Sequence, residues 1–579
     1  MKKQFQGRAN FIAILFLFGS ALILFQVIRI QSMAELFQKG IDAGETSSVF
    51  LEPERGKIFD QHGHMLAGNE TIFEIGVTLP RIKDEKTIAK YLYDTLGLDY
   101  QKTLNNIDGQ DPKQVYLVLA NYVPLEKALK LQKLKKELED NYTGPNSESL
   151  AGLEFVPHMM RSYPDKQLAS NVIGFVNQDK VGNYGVEQKY NSLLAGVSKT
   201  VLVPLDPNLA GEIPKTPVGS DLILTIDREI QAMVETELNN SLIETGSEAG
   251  TIIVMDPHTG GIIAMASTPQ MDLNQYSDLG KIFPGETPYN RAISLDYEPG
   301  SVFKILTMAA AIDINLVSPE TTYLDSGFYT IGGVNIYNWD RSAWGVQSMV
   351  GCLQNSLNVC MARLADLMGE NTFYTYMQRF GIGHPTGIDL SYETGGRLKV
   401  PADSDWYKVD LGTNAFGQGV SVTPIQMMTA ASALANDGKM VYPHLLYAMV
   451  TNGAQHNTPL QTLGSPISPQ TARTVSGMLA DALDGSKSVA RVDGYRIAGK
   501  TGSASIPVNG VYQSDQINAS FIGWGPVDDP KFMVYVWLQR PKADWASYVA
   551  SPLFSKVVEK LVVLMDIPPD NIRKQLVGQ

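Results

Sequence analysis

From Ala9 to Ile28 the chain reads ANFIAILFLFGSALILFQVI, with no charge among its 20 residues. Its apolar side chains fall on every face of a helix. At about 1.5 Å per residue such a helix spans roughly 30 Å, the hydrocarbon thickness of a bilayer. Lys2, Lys3 and Arg8 come before it, so residues 1–8 are expected in the cytoplasm and everything after Arg29 outside. A cleaved signal peptide is the competing reading. The run is longer than usual for one and has no clear A-x-A site, which favours an uncleaved anchor over residues 9–28. No later run is long and apolar enough to span again.

Beyond the anchor the pattern changes character several times. Glu54–Asn69 (ERGKIFDQHGHMLAGN) reads as strand, tight turn at His62-Gly63, and strand. Leucines spaced three and four apart over Pro124–Asn141 predict one amphipathic helix, its other face solvated. Thr143–Ser149 is a loop, and the Pro- and Gly-rich Leu205–Ser220 marks a domain boundary near residue 216. Two β-branched runs in Ala249–Ser267, joined by a turn at Pro257–Gly261, predict a hairpin. From Ser301 to about Leu434 the pattern is mainly helical. Strand patterns return at Gly494–Ser505, Asn518–Pro526 and Lys531–Arg540, before a helix near Ser555–Met565. Strands, then helices, then strands closed by a helix predict an α+β domain with an antiparallel sheet under a helical layer.

Composition narrows the class. The 579 residues are 44% hydrophobic and 18% charged, as in globular proteins. A net charge of −13 argues against nucleic acid as a main partner, because phosphate binding needs a basic face. Two cysteines, Cys352 and Cys360, are too few for a disulfide scaffold or a cysteine-based zinc site, and they do not reveal the compartment. Cys360 falls in the apolar run VCMARLADLM and is expected as an inert buried thiol. A Cys352–Cys360 bridge is not expected if both sit in one helix, where eight residues span about 12 Å.

Seven scattered histidines, no H-E-x-x-H, no G-x-S-x-G and no G-x-x-x-x-G-K-[ST] leave metal, triad and nucleotide-loop chemistry unsupported. FGQG (Phe416–Gly419) reads as a tight loop. What remains starts at YEPGSVFKILTMAAAI (Tyr297–Ile312), where Ser301 precedes Lys304 by three residues on a helix-prone apolar run. Residues three apart share a helix face, and a desolvated lysine beside a serine makes a nucleophile without histidine. QNSLNVC supplies Ser356 and Asn358, and AGKTGSAS supplies Lys500, Thr501, Gly502 and Ser503. Gly502 is expected to let a ligand backbone approach a strand closely. Each triplet alone is weak. In the order S-x-x-K, S-x-N, K-T-G, each present once, they resemble the serine-lysine constellation of the penicillin-recognising enzymes.

The chain accordingly resembles the class B penicillin-binding proteins. Arg55–Ala67 resembles the R-G-x-I-x-D-x-x-G-x-x-L-A element that opens their pedestal, and Tyr184–Gly196 their G-x-E-x-x-Y-x-x-x-L-x-G segment. LTIDREIQ and DPHTGGIIAMASTPQMDLN resemble the start of their transpeptidase domain. The resemblance implies a mixed, mostly-β pedestal over residues 29–215, similar to a dimerisation domain, and a transpeptidase domain over 216–579 with a central antiparallel sheet covered by helices.

It also implies a mechanism without metal or cofactor. Ser301 attacks the carbonyl between two terminal D-alanines of a stem peptide, Lys304 takes its proton, and Ser356 with Lys500 relays it to the leaving nitrogen. Asn358 orients Lys304, while Thr501 and Lys500 hold the terminal carboxylate. Backbone N–H groups of Ser301 and Ser503 form the oxyanion hole, and aminolysis by a second stem closes the cross-link. β-Lactams acylate the same serine. EPGS and KTGSA are more similar to division-type than elongation-type enzymes. The implied partners are a membrane-embedded glycosyltransferase of the shape, elongation, division and sporulation family, and the divisome. An elongation-type transpeptidase, a D,D-carboxypeptidase or β-lactamase, and a non-catalytic β-lactam sensor or divisome scaffold are the alternatives.

Overall fold

The computed structural model describes residues 20, 23–29, 46–51, 53–109, 114–144, 147–204, 218–508, 511–543 and 545–577. Most of the expected membrane span and the expected boundary at residue 216 lie outside these residues. Residues 23–29 are helical and exposed. Among the described residues no helix is long and apolar enough to cross a membrane.

The chain forms two compact units. In the smaller, drawn from residues up to Glu54 and from Gly196–Gly219, strands Thr46–Leu51 and Lys199–Pro204 pair antiparallel. The larger comprises Arg55–Ala195 and Ser220–Gln579 and carries every feature described below.

Its first sheet is mixed. Ile58–Phe59 and Met65–Thr78 form the expected hairpin, the second strand running on to Thr78 because Ile75 and Val77 keep an inward alternation, both fully buried. Tyr116–Pro124 and Leu153–Ser162 both pair with it. Ile58–Phe59 pairs in parallel with Asp221–Leu224, which continues the sheet to Leu446–Thr451. The predicted amphipathic helix is Leu125–Asp140 and buries Ala128 and Leu131. The two pedestal-like motifs meet here: Arg55 Nη2 donates to Glu187 Oε2 at 2.6 Å, and Arg161 Nε to Glu187 Oε1 at 2.7 Å.

The second sheet holds the chemistry. Its strands are β1 (Ala249–Met255), β2 (Ile262–Ser267), β3 (Ala498–Val508), β4 (Val511–Gly525) and β5 (Phe532–Gln539), in the order β2-β1-β5-β4-β3. All neighbours are antiparallel. In β5, Phe532, Val534, Val536 and Leu538 face one core, and Met533, Tyr535 and Trp537 the other. Burial on both faces explains its unbroken apolar run. Helices α1 (Arg228–Thr245) and α5 (Ala546–Leu564) cover the first face. The core on the second face includes α2 (Lys304–Asp313) and a helical layer. α5 starts well before the expected Ser555, because Pro552 lies inside the helix and does not end it. A further helix, Asp570–Val577, follows.

The mainly helical stretch holds three small antiparallel pairs, Thr322–Asp325 with Gly345–Ser348, Phe328–Ile331 with Val334–Tyr337, and Arg397–Leu398 with Val420–Ser421. The second turns at Gly332-Gly333, both at positive φ, a two-residue hairpin signal in GFYTIGGVNIY.

The cysteines correct an expectation. Cys352 and Cys360 form a disulfide with Cα atoms 6.1 Å apart, so Cys360 is no free thiol. They do not share a helix. Cys352 lies in α3 (Met349–Gln354) and Cys360 in α4 (Asn358–Met368). Ser356, at φ +52°, breaks the helix between them and folds the two cysteines together.

Candidate active site

Pro299-Gly300 starts a short 3-10 turn, Gly300–Phe303, that runs into α2. Gly300 takes φ +57° and sits so close to Gly417 that a Cβ on the latter would lie 2.2 Å from Gly300 O. The glycines of FGQG thus let that loop press on the nucleophile's turn. Ser301 emerges on the wall of a cleft of about 600 Å3, which Ser356, Asn358, Thr501 and Ser503 also line. Lys304, one turn on, is fully buried among apolar neighbours.

The three triplets converge. Lys304 Nζ donates to Ser356 O at 2.6 Å and to Asn358 Oδ1 at 2.8 Å, and lies 3.2 Å from Ser356 Oγ. Lys500 Nζ donates to the same Ser356 Oγ at 3.0 Å and to Thr501 Oγ1 at 3.3 Å. Asn358 is fixed in turn by its Nδ2, which donates to Tyr337 O at 3.1 Å. Among the described residues no hydrogen bond joins Ser301 Oγ to Lys304. The lysine's contacts run to Ser356 and Asn358, and Ser301 stands at the cleft wall.

Burial sets the electrostatics. Loss of hydration, followed by the nearby Lys500 charge, holds the Lys304 amine well below its ordinary range. Burial pulls Lys500 down to about 7. A neutral Lys304 has two N–H donors and a lone pair. Ser356 O and Asn358 Oδ1 lie at the two shorter distances from its Nζ, and Ser356 Oγ lies within hydrogen-bond reach of both lysine amines.

Strand β3 is the open edge of its sheet and presents Thr501, Ser503 and Ser505 to the cleft. Ser503 Oγ accepts from Ala546 N at 2.8 Å, tying the strand to the start of α5. At Gly502 the close neighbour is the protein itself. A Cβ there would meet Ser520 Oγ at 2.5 Å and Pro299 O at 2.8 Å, so the glycine admits the nucleophile's own turn where a ligand backbone was expected.

Several lining residues escaped the sequence reading: Trp339, Trp344, Phe416, Gln418, Trp545 and Tyr548. Trp339 and Trp545 meet edge to face, 5.1 Å between centroids, and Trp339 Nε1 donates to Asn355 O at 3.1 Å. The glycine spacing of FGQG was the one available signal, pointing to a tight loop and hence to Phe416 and Gln418.

Comparison with known proteins agrees with this geometry. Residues 250–559 match the penicillin binding protein transpeptidase domain, and residues 50–216 the penicillin-binding protein dimerisation domain. Stage V sporulation protein D of Bacillus subtilis is 29% identical over 534 residues, 90% of this chain and 79% of that protein. The peptidoglycan D,D-transpeptidase FtsI of Escherichia coli K12 is 28% identical over 593 residues, 98% of this chain and 95% of its own. Penicillin binding protein 2X from Streptococcus thermophilus shares the fold at a TM-score of 0.77 and 22% identity, over 90% of this chain and 80% of that one.

Proposed function

The chain belongs to the penicillin-binding protein transpeptidase family, and from that premise we propose that it cross-links peptidoglycan stem peptides through an acyl-enzyme on Ser301. The observation that carries this reading is the single hydroxyl, Ser356 Oγ, reached by both Lys304 and Lys500 in the cleft that Ser301 lines.

The contacts around Ser356 support the roles that the resemblance implies. Neutral Lys304 takes the Ser301 proton as Oγ attacks the D-Ala–D-Ala carbonyl. Ser356, bonded to both lysines, passes a proton to the departing D-alanine nitrogen. Lys500 and Thr501 hold the donor's terminal carboxylate, and Asn358 keeps Lys304 in place. The open edge of β3 receives the extended donor peptide by strand addition, with the Ser301 and Ser503 N–H groups directed at the developing oxyanion. Such a site is the target of β-lactams, whose carboxylate and strained amide imitate the donor terminus.

Septal wall synthesis is the setting we favour, a reading supported by EPGS and KTGSA and by the likeness to FtsI and to stage V sporulation protein D. Residues 9–28 as an anchor put the catalytic unit on the outer face of the membrane. The Cys352–Cys360 disulfide supports that placement, since such bonds persist in oxidising compartments. A membrane-embedded glycosyltransferase of the shape, elongation, division and sporulation family, with other division proteins, is the partner this architecture suits.

Intact-protein mass spectrometry after incubation with a fluorescent penicillin tests the reading. A stable adduct on the wild type that is absent from Ser301→Ala is expected. Rapid turnover without an adduct would replace the transpeptidase with a hydrolase, and no reaction at all would leave a scaffold.

A further inference from the structure

Cross-linking needs a second substrate, and its charge is known from its chemistry. The acceptor is an amine, protonated near neutral pH because a free alkylamine titrates near 10. The cleft around Ser301 is poorly suited to receive it, since none of its described lining residues is a carboxylate and Lys500 stands at its floor. An ammonium is drawn to a wall of the opposite sign.

Such a wall lies next to the cleft. A second cavity of about 360 Å3 runs beside β3, and Ser505 lines both spaces. It is lined by Asp296 and Glu298, from the segment that leads into Ser301, and by Asn518, Trp537 and Gln539 of β4 and β5. Asp296 is exposed, and Glu298 Oε1 accepts from Gly419 N at 3.0 Å. Two polar atoms of the lining residues are buried without a partner, the amide oxygen Asn518 Oδ1 and the indole nitrogen Trp537 Nε1. Their residues are only 9% and 1% exposed. Asn518 faces Gln539 across the β4–β5 ladder, and Trp537 stands two positions before Gln539, so all three point to one side of the sheet. Orphaned buried donors and acceptors are uncommon in native proteins. One N–H and one C=O are what a single peptide unit supplies in return.

We propose that this cavity is the acceptor subsite. An amine-bearing stem peptide lies along it, its ammonium drawn by Asp296 and Glu298 and its backbone paired with Trp537 Nε1 and Asn518 Oδ1. The peptide reaches the acyl-enzyme past Ser505. There the ammonium gives one proton to water at the open cleft. The freed amine nitrogen attacks the acyl carbon, a C–N bond forms, the C–Oγ ester bond breaks, and the second amine proton returns to Ser301 Oγ. The assignment rests on the transpeptidase reading of the cleft, and its test separates the two.

The full chain in detergent is given an acyl-D-alanyl thioester as donor and Nα-acetyl-lysine amide as acceptor, and aminolysis and hydrolysis products are measured together. Asp296→Asn is expected to lower the aminolysis-to-hydrolysis ratio at least about fivefold, through KM for the amine, and Asp296→Lys to lower it further. Penicillin acylation of Ser301 stays unchanged in both, because an exposed carboxylate outside the donor path is altered. An unchanged ratio in Asp296→Lys with acylation intact overturns the subsite and leaves the transpeptidase reading standing. Equal loss of hydrolysis and aminolysis overturns it too, since the damage is then general. A wild type that forms no acyl-enzyme overturns the reading beneath it.

Discussion

Lys304 and Lys500 share one hydroxyl, Ser356 Oγ, at 3.2 and 3.0 Å, and both amines are buried. The pair acts only while its members differ in charge. Acylation needs Lys304 neutral, a condition met above its depressed pKa. It also needs Lys500 charged to hold a carboxylate, a condition met in the free enzyme below about 7. The second-order rate of penicillin acylation, which reports the free enzyme, is therefore expected to rise with pH and then fall through about 7. In Lys500→Arg the guanidinium keeps its charge, so the alkaline limb leaves the measurable range even if the rate is lower. Stopped-flow acylation from about pH 5 to about pH 9 checks this. A wild-type rate that climbs without a fall would remove Lys500 from the role.

Gly502 tests how closely the nucleophile's turn is fitted to the sheet. A methyl at 502 has Pro299 O at 2.8 Å, Val302 Cγ1 at 2.9 Å and Ser520 Oγ at 2.5 Å, and two of these move only with their backbone or a packed core. Gly502→Ala is expected to cost about 1–3 kcal/mol of stability as overpacking. It should also slow acylation roughly 100-fold, as displacement of a reacting group by about 1 Å does. Urea unfolding and adduct formation measure the two effects separately. A fully active, fully stable alanine variant would show that the turn has room to retreat.

The reach of the sequence is clear from these residues. Ser301, Lys304, Ser356, Asn358 and Lys500 were legible because S-x-x-K, S-x-N and K-T-G in that order resemble one enzyme family, and the structure brings all five to one cleft or its floor. The five-stranded sheet was legible because period-2 patterns and continuous apolar runs report burial on one face or two. What stayed hidden depends on chain geometry between elements. Nothing local shows that Ser356 takes φ +52°, and without that break the two cysteines lie too far apart to bond. Trp339 and Trp545 meet across the cleft from segments about 200 residues apart, a contact that no local pattern encodes. The last long helix starts earlier than expected and runs through Pro552, because the usual penalty of an internal proline is outweighed by the apolar face that α5 lays on the sheet.

The disulfide joins the two helices that flank Ser356, so it is expected to act on stability and on activity together. Closing a loop over a separation of eight residues restricts the unfolded chain by about 2–3 kcal/mol. The double variant Cys352→Ala/Cys360→Ala should lose stability on that scale. Its acylation should also slow, since the loop between α3 and α4 carries the hydroxyl and the carbonyl that hold Lys304. Thermal unfolding and penicillin acylation of the folded variant check both. Unchanged acylation at reduced Tm would confine the bond to stability.

Glu187 stands between two guanidiniums, and all three side chains are almost wholly buried. Tyr163 OH also donates to its Oε1 at 3.3 Å, so one carboxylate compensates two cations and a hydroxyl. Arg55 and Glu187 come from the two sequence motifs at either end of the pedestal-like region, and their pairing joins those segments. Deleting the carboxylate leaves two buried positive charges facing each other without compensation, which costs about 3–5 kcal/mol. Glu187→Ala is therefore expected to shift the urea midpoint by that equivalent at constant slope. Arg55→Met, which removes the surplus cation and leaves the Arg161 pair intact, should cost less. The order of the two variants decides the matter. If Arg55→Met is the more damaging, the cluster depends on the packing of the Arg55 side chain, and charge balance around Glu187 is secondary.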